Sequence, residues 1–493
     1  MSKKESILNE FRQAACWFSD RWISLFIFGF AFSIRFTFRS AGLLHIDSVG
    51  YTSLGELTFK TMNLHYAHFP GHPGIVLINA GFYGLLQLFG FGSEFTTIFV
   101  SVLFGAMAAP LVYLICIRLG FSRVPALYAG IIMIFFPLQW SLSEYMPTDV
   151  ESLFFLLAAF YFALKTGRKS VYFSSFLFMF SIAIKLENIF LLPFYIGMYL
   201  ANLHQTYRDN FSKFIVTREM VLILLIQIIG LTLLYGPYIP SAKGVIDDPV
   251  RIASVQIKTL PLQLGEVFDL MITSFSFAGI ILIILGIPGI FGMCLDRYSR
   301  RIVFMLLCLS IFSILFSASI PLSDYDRYIL TGFSLLIIFA AFGLKRLGDL
   351  NKHIPVVVMA FLIIYMVYVT LPVVAARHAW AGQKEFATRL KALTGEDAIV
   401  VALDEGGLIN YYTNLTTIQP NINAVESLLN QNRSVYVLGR VMAYYHGNEF
   451  AEEGEKRFNF KLVGVFPSED WHGTVLNRLV FMEHVYRIEY KRD

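Results

Sequence analysis

The feature that most constrains this chain is a succession of apolar segments. Several of them reach the roughly 18–20 residues that a helix needs to cross a membrane. With 56% hydrophobic residues and a mean hydropathy of +0.62, the composition is not that of a water-soluble protein. We therefore predict a polytopic α-helical membrane protein with about eleven transmembrane helices, at residues 22–42, 94–117, 124–141, 150–165, 171–184, 186–203, 219–240, 269–292, 302–320, 327–344 and 354–375.

The charges between these segments predict the orientation of the chain. Residues 1–21 are polar and basic, and the later loops on the same side each contain at least two lysine or arginine residues. The opposite loops contain most of the acidic residues near the segment ends. By the positive-inside rule, residues 1–21 are then a cytoplasmic N-terminus. The net charge of +4 is spread over these loops, which argues against a nucleic-acid partner.

Beyond residue 375 the composition changes. Short β-branched runs at 398–403, 434–438, 461–466 and 479–482 are typical of strands. Residues 376–493 are thus predicted to form a small α/β extracytoplasmic domain after a transmembrane part at 22–375. None of the four cysteines falls in this domain. The lack of cysteines there and the short loops favour the bacterial inner membrane as the location of the protein.

The first extracytoplasmic loop, residues 43–93, concentrates polar side chains. Loops of this length are uncommon in compact proteins unless they carry function. The loop ends in an apolar helical pattern from Pro73 to Gly90, which we interpret as re-entrant or lying on the membrane surface. We interpret the loop as the floor of an active site, because it holds four of the ten histidines together with Asp47, Tyr51, Glu56 and Lys60.

Four charged residues at the ends of apolar segments or within them are candidate site residues. Asp47 and Asp149 each follow a predicted span on the extracytoplasmic side, where a carboxylate can also simply cap a helix. Lys185 and Glu187 interrupt a membrane-compatible run, and such charges cost roughly 2.5–3.5 kcal/mol each unless they pair or line a cavity. A Lys185–Glu187 ion pair is the structural alternative. The common membrane face, next to His72, favours a functional site.

Two arginines lie at or within predicted spans, and only one of them is a candidate site residue. Arg327, followed by Tyr328, opens a late span from the extracytoplasmic side, where an arginine can also anchor to lipid head groups. Arg35 lies inside the first span and is expected to extend towards the membrane surface.

Five short motifs follow one another along the chain: Asp47-Ser48 with Tyr51, His72-Pro73-Gly74 leading to Leu88-Phe89-Gly90, Pro147-Thr148-Asp149, Ile182-Ala183-Ile184-Lys185 and Arg327-Tyr328. In this order they resemble the motifs of the GT-C superfamily of polyprenyl-phosphate-sugar-dependent glycosyltransferases. The likeness is greatest to the branch of protein O-mannosyltransferases and lipid A aminoarabinose transferases, and it covers residues 20–375. Two positions depart from the family pattern: Ser48 replaces an acid, which affects metal binding, and Gly74 replaces a proline.

The resemblance implies transfer of a sugar from a polyprenyl-phosphate carrier, with inversion, to a hydroxyl of a lipid, glycan or protein acceptor. A phosphate leaves readily when cations neutralise it, and one carboxylate can act as the base. By this resemblance Asp47 and Asp149 are catalytic, as a base or as ligands of a divalent metal. The expected donor-phosphate ligands are His72, Lys185 and Arg327, and the expected substrate-binding residues are Tyr51, Glu187 and Tyr328.

Two other classes of protein are alternatives. A transporter or flippase of lipid-linked sugars predicts charges deep within several spans and internal repeats. An assembly protein whose outer domain binds a partner leaves Asp47, Asp149 and Lys185 without a role. The acids lie at one membrane face and the sequence contains no repeat, which favours the enzyme.

Overall fold

Helices run from the amino terminus to Ala379, and a five-stranded sheet with flanking helices follows. This arrangement confirms a largely helical protein with a small C-terminal sheet. The computed structural model describes residues 3–67, 71–144, 148–165, 168–206, 213–238, 279–293, 300–318, 329–403, 405–444, 449–470 and 479–491.

The helices before the sheet largely follow the apolar segments of the sequence. Short 3₁₀ turns at Gln87–Phe89 and Leu186–Leu191 extend α3 and precede α9. The helices are α1 (Lys3–Thr37), α2 (Ile46–Thr61), α3 (Pro73–Leu86), α4 (Ser93–Arg118), α5 (Arg123–Phe135), α6 (Pro137–Leu142), α7 (Asp149–Ala163), α8 (Arg168–Ile184), α9 (Leu192–Thr206), α10 (Lys213–Tyr235), α11 (Gly279–Met293), α12 (Arg300–Ala318), α13 (Leu330–Leu350) and α14 (Ile354–Ala379).

The apolar helices are those of an integral membrane protein. On α10, Leu225, Ile228 and Leu233 are 46%, 61% and 72% exposed, and a continuous apolar face of this kind is typical of a helix that contacts lipid. The number of spans stays a prediction. Among the described residues, four helical stretches are long and apolar enough to cross a membrane: Ser93–Arg118, Arg218–Tyr235, Leu330–Leu350 and Ile354–Thr394.

The first predicted loop contains two helices. α3 and its 3₁₀ turn end at Gly90 (φ 81°), close to the predicted helix from 73 to 90. The capping role considered for Asp47 implies a helix at the position of α2, but the bounds of that helix were not predicted. The two helices pack closely because Gly55 faces Asn79, where a Cβ would lie only 2.6 Å from the asparagine side chain.

The C-terminal sheet has the strand order β2-β1-β3-β5-β4. β1 runs parallel to β2 and β3, whereas β5 runs antiparallel to β3 and β4. Its core contains the fully buried side chains of Val400, Val437 and Val485. The elements are α15 (Gly382–Thr394), β1 (Ile399–Val401), α16 (Gly406–Thr413), β2 (Thr416–Ile418), α17 (Ile422–Asn430), β3 (Val435–Leu438), α18 (Gly439–Tyr444), α19 (Glu449–Arg457), β4 (Phe458–Asp470) and β5 (Leu479–Tyr490).

The sheet is attached to the helical bundle through α16. Leu408 is fully buried against Leu43, just before α2. The Tyr412 hydroxyl accepts a hydrogen bond from the Leu43 amide at 2.7 Å and donates one to Glu94 at 3.2 Å. Lys384 forms an ion pair with the same glutamate at 3.0 Å. We call this end of the bundle the sheet end.

We expect Tyr412→Phe to weaken the attachment of the sheet. The substitution removes a half-buried hydroxyl that accepts a hydrogen bond from the Leu43 amide and donates one to Glu94. A buried polar group left without its partner lowers the free energy of unfolding by about 1–3 kcal/mol. Thermal unfolding in mild detergent measures the loss. Tyr490→Phe is the matched control, because that hydroxyl bonds Asn430 on the exposed surface; an equal loss for both variants would contradict the attachment.

Candidate functional site

The first turn of α7 places a carboxylate inside the bundle. Thr148 precedes the helix with a left-handed backbone (φ 72°), a conformation that is uncommon for a residue with a Cβ. Asp149 is the first helical residue and is 4% exposed. Thr148 and not Asp149 occupies the capping position, so the capping role considered for Asp149 is wrong. A carboxylate at this end is favoured by the helix dipole.

Lys185 lies where α8 ends and approaches this carboxylate. Its backbone is extended (φ −140°, ψ 104°), and the chain continues as a 3₁₀ turn. Its ammonium group forms an ion pair with Asp149, and the two side chains are 12% and 3% exposed. The structural alternative, an ion pair between Lys185 and Glu187, is therefore wrong, because Lys185 pairs with Asp149. Burial of both charges requires such a pair.

His72 is held against the same end of α8. It has a left-handed backbone (φ 44°) and precedes α3. Its Nδ1 donates a hydrogen bond to the Ile184 carbonyl at 2.8 Å, which requires a proton on that nitrogen. α3 comes this close because residue 74 is glycine: a Cβ on Gly74 would lie 2.7 Å from the Ile184 amide nitrogen. This is the position where the sequence departs from the family pattern.

α2 adds an aromatic and an acidic side chain. Tyr51 is 1% exposed and contacts His72 edge to face, with ring centroids 5.6 Å apart. Asp47 lies four residues earlier, on the same face of the helix. Its carboxylate is 3.4 Å from the ring of His45, and that ring accepts a hydrogen bond from the Asp47 amide. His45 therefore caps α2, so the capping role considered for Asp47 is wrong.

The structure thus brings together most of the predicted site residues. Tyr51, His72, Lys185 and Asp149 form one chain of contacts, through the Ile184 carbonyl beside Lys185. Asp47 adjoins this chain through α2. Glu187 lies two residues beyond Lys185, in the 3₁₀ turn, and makes none of these contacts. The predictions for Arg327 and Tyr328 concern residues that lie outside the described part of the chain.

Two further polar residues adjoin the site. Glu151, in the first turn of α7, is fully buried, and neither carboxylate oxygen has a hydrogen-bond partner among the described residues. It lies at the start of an apolar run, and the reasoning applied to Lys185 could have found it. Asn188 donates hydrogen bonds to Ser152 at 2.6 Å and to the Ser181 carbonyl at 3.3 Å. Asn188 is uncharged, so the reasoning from charges in apolar runs could not have found it in the sequence.

Aromatic side chains cover the chain before His72. The rings of Tyr66 and Tyr238 stack with centroids 5.0 Å apart, and a Cβ on Gly71 would lie 3.3 Å from both rings. Tyr235 donates a long hydrogen bond, 3.4 Å, towards the Ala183 carbonyl. The hydrogen bond between His72 and the Ile184 carbonyl therefore has an aromatic wall on the side of α10.

The donor set does not complete a metal site. Within the part of the chain that the structure describes, no three His, Cys, Asp or Glu side chains are grouped to hold a metal. Asp149 is paired with Lys185 and Asp47 with His45. Binding of a divalent metal by Asp47 and Asp149 stays a prediction.

Comparison with solved structures identifies the class of fold. ArnT from Cupriavidus metallidurans bound to undecaprenyl phosphate is similar with a TM-score of 0.57 and 14% identity, over 94% of this chain and 97% of that one. The Archaeoglobus fulgidus oligosaccharyltransferase complex with zinc and sulfate has a TM-score of 0.54 and 15% identity, over 92% and 72%. The same enzyme tethered to an acceptor peptide has 0.55 and 13%, over 94% and 76%.

These structures share the fold of GT-C glycosyltransferases, so the resemblance predicted from the motifs is confirmed for the fold. At the level of sequence, residues 83–235 match the dolichyl-phosphate-mannose-protein mannosyltransferase family. This match contains Asp149 and Lys185. No curated protein sequence matches the chain.

We expect Gly74→Ala to disturb the site by steric conflict alone. The added Cβ would meet the backbone of Ala183 and Ile184, so α3 must move away and lengthen the hydrogen bond from His72. Overpacking of this kind costs about 1–3 kcal/mol, measurable by thermal unfolding in detergent.

Gly81→Ala is the matched control on the same helix, because a Cβ there meets no atom within 4 Å. It should be neutral or stabilise by about 0.4–1 kcal/mol. Equal stability of the two variants would show that the α3–α8 contact is looser than described.

Proposed function

We propose that the protein is a glycosyltransferase that moves a sugar from a polyprenyl-phosphate carrier to an acceptor hydroxyl, with inversion. The observation that carries this proposal is the buried Asp149–Lys185 pair beside His72 at the sheet end of a membrane bundle. A lysine in this setting is a ready ligand for a phosphate at the membrane surface. The fold shared with ArnT, whose solved structure holds undecaprenyl phosphate, supports the same donor class.

In this proposal the donor phosphate binds between Lys185 and His72, with Arg327 as a further cation. Asp149 pairs with the lysine and orients it in a site where that side chain is only 12% exposed. Preorganised cations of this kind stabilise the negative charge that develops on the leaving phosphate. The isoprenoid chain would lie along the aromatic wall formed by Tyr66 and Tyr238.

Asp47 is the proposed base, and Tyr51 lies between it and the phosphate ligands. The acceptor oxygen forms a bond to the anomeric carbon while the bond from that carbon to the phosphate oxygen breaks. The acceptor proton passes to the Asp47 carboxylate, and the phosphate leaves with the bonding electron pair. A positioned base typically contributes about 10²–10⁴-fold to such a step. Glu187 and Tyr328 are proposed to contact the substrate.

The same proposal gives the chain an orientation and partners. Residues 1–21 are cytoplasmic, residues 22–375 form the catalytic bundle, and residues 376–493 form the extracytoplasmic domain, in the inner membrane of a bacterium. The acceptor is a lipid, a glycan or a protein. The contact between Leu408 and Leu43 supports a role of the C-terminal domain close to the acceptor, because it packs beside the start of α2.

We expect Asp47→Asn to lower turnover by about 10²–10⁴-fold, because the amide cannot accept the acceptor proton. The measurement is release of undecaprenyl phosphate from the polyprenyl-phosphate-sugar fraction of a bacterial membrane extract, followed by mass spectrometry. Glu56→Gln, also on α2, is the control and should retain turnover. Wild-type turnover of Asp47→Asn would refute the assignment of the base.

We expect Lys185→Ala to lose bound undecaprenyl phosphate, because the variant lacks the buried cation. Native mass spectrometry of protein in mild detergent measures the bound lipid. Lys60→Ala is the matched control: its ion pair with Glu56 raises the pKa of Lys60, so this lysine is charged, yet it lies on the exposed face of α2. Retention of only bulk phospholipid by the wild-type protein would favour the transporter or flippase instead.

A further inference from the structure

The stretch between α1 and α2, residues 38–45, leads directly to the proposed base. We call it the link. Asp47 follows it by two residues, in the first turn of α2. The position of this carboxylate in the bundle therefore depends on the groups that hold the link.

The helix before the link and the helix before the C-terminal domain are both anchored to the segment around α6. Arg35, near the end of α1, is fully buried and donates to the Ser143 hydroxyl at 3.1 Å. It does not extend to the membrane surface, so that expectation is wrong. Arg377, near the end of α14, is also buried and donates to the Ser141 hydroxyl at 2.6 Å. The link thus starts from a fixed point beside the end of α14.

The link then runs along the end of α14 and the C-terminal domain. Three of its backbone groups are hydrogen-bonded to this part of the chain: the Arg39 carbonyl to His378 Nδ1 at 2.9 Å, the Ala41 amide to the Arg377 carbonyl at 3.1 Å and the Leu43 amide to the Tyr412 hydroxyl at 2.7 Å. The approach is close, because a Cβ on Gly42 would lie 3.0 Å from the Cβ of Ala381. The C-terminal part of the chain therefore determines the course of the link.

Glu94, in the first turn of α4, joins these contacts. Its two carboxylate oxygens accept hydrogen bonds from Lys384 at 3.1 and 3.0 Å, and Oε1 also accepts one from the Tyr412 hydroxyl at 3.2 Å. A Cβ on Gly42 would lie 3.2 Å from the same oxygen. Burial, and then the charge of Glu94, raises the pKa of Tyr412. This hydroxyl therefore keeps the proton that it donates to Glu94 while it accepts from the link.

The exposure of Glu94 and Lys384 separates two possible roles of this carboxylate. The two side chains are 25% and 44% exposed. Ion pairs at such exposure contribute little to stability, because water screens them and both side chains lose freedom. The hydrogen bond from Tyr412 is directional, and it fixes the hydroxyl that accepts from the link. The larger effect of Glu94 is therefore on geometry and not on the free energy of unfolding.

We propose that Glu94 is a positioning residue: through the Tyr412 hydroxyl it holds the link, and with it Asp47, in register with the phosphate site. This inference rests on the proposed function for its catalytic readout. Asp47 lies four residues beyond the bound Leu43 amide, and its own amide donates to the ring of His45, the last residue of the link. A shift of the link therefore moves the carboxylate, and a displacement of about 1 Å at reacting groups can cost about 10²-fold in rate.

The test compares two substitutions of similar size at residue 94 in the full chain, in mild detergent, with the donor fraction named above. Glu94→Met removes the acceptor and should lower kcat by about 10²-fold, with an unchanged apparent KM for the donor fraction. Amide hydrogen exchange should become faster at residues 43–49 and stay unchanged at residues 148–152. Glu94→Gln keeps an oxygen that accepts from Tyr412, so it should retain most of the wild-type kcat.

Glu426→Met is the matched control, because it breaks an ion pair with Arg457, 3.1 Å long, on the exposed surface of the C-terminal domain. It should match the wild type in kcat and in exchange. Tyr412→Phe interrupts the same path at the hydroxyl and should reproduce the lowered kcat and the faster exchange at residues 43–49. If Glu94→Met does not fold, Tyr412→Phe decides.

Wild-type kcat in Glu94→Met would overturn the proposal. An equal loss of kcat in Glu94→Gln would also overturn it, because the charge and not the hydrogen bond would then be required. Faster exchange at residues 148–152 as well as 43–49 would indicate general loosening of the bundle and would contradict it too. A wild-type protein without transferase activity would refute the proposed function instead, and exchange at residues 43–49 would still decide whether Glu94 orders the link.

Discussion

The arrangement of the site depends on the cost of a charge inside an apolar bundle. Lys185 and Asp149 lie almost without solvent, and each makes the burial of the other possible. To reach this pair, α8 must end at Ile184 and the chain must extend before the following 3₁₀ turn. Because the helix ends there, the Ile184 carbonyl is free of a helical partner and accepts a hydrogen bond from His72. One ion pair thus creates the acceptor that holds the next side chain.

Close backbone contact transmits this arrangement to the first loop. Gly74 lets α3 approach the end of α8, and Gly55 lets α2 approach α3. Tyr51 then meets His72, and Asp47 follows on the same helix face. The position of the proposed base is therefore set by two contacts at which a Cβ would be too large. A proline at 74, as in the family pattern, has no space in this arrangement.

Part of the fold could be predicted because its causes are local. The predicted span 94–117 nearly coincides with α4. The end of α8 at Lys185 is indicated in the sequence by a charged residue within an apolar run. The bounds of α2 could not be predicted because its sequence, IDSVGYTSLGELTFKT, has no clear apolar period; its helix depends on packing against α3. β2 was missed because three residues give too short a pattern.

The partners of buried charges could not be predicted because they are distant in sequence. From the sequence, Arg35 is expected to reach the membrane surface. In the structure it donates instead to the Ser143 hydroxyl, 108 residues later in the chain. Lys185 likewise finds Asp149 and not its near neighbour Glu187. A sequence shows that a charge inside an apolar run must be paired, but only the packing of helices selects the partner.

The buried ion pair and the two buried arginines differ in their partners. Asp149 and Lys185 carry opposite charges, so in the proposed function a phosphate beside Lys185 would meet a cation that already has an anion. Arg35 and Arg377 donate instead to neutral groups: the Ser143 hydroxyl, the Ser141 hydroxyl and the Ile134 carbonyl. These hydrogen bonds join α1 and α14 to α6 and its neighbouring residues, and the next helix, α7, begins with Asp149. The bonds that hold α6 are therefore separate from the ion pair that a phosphate would disturb.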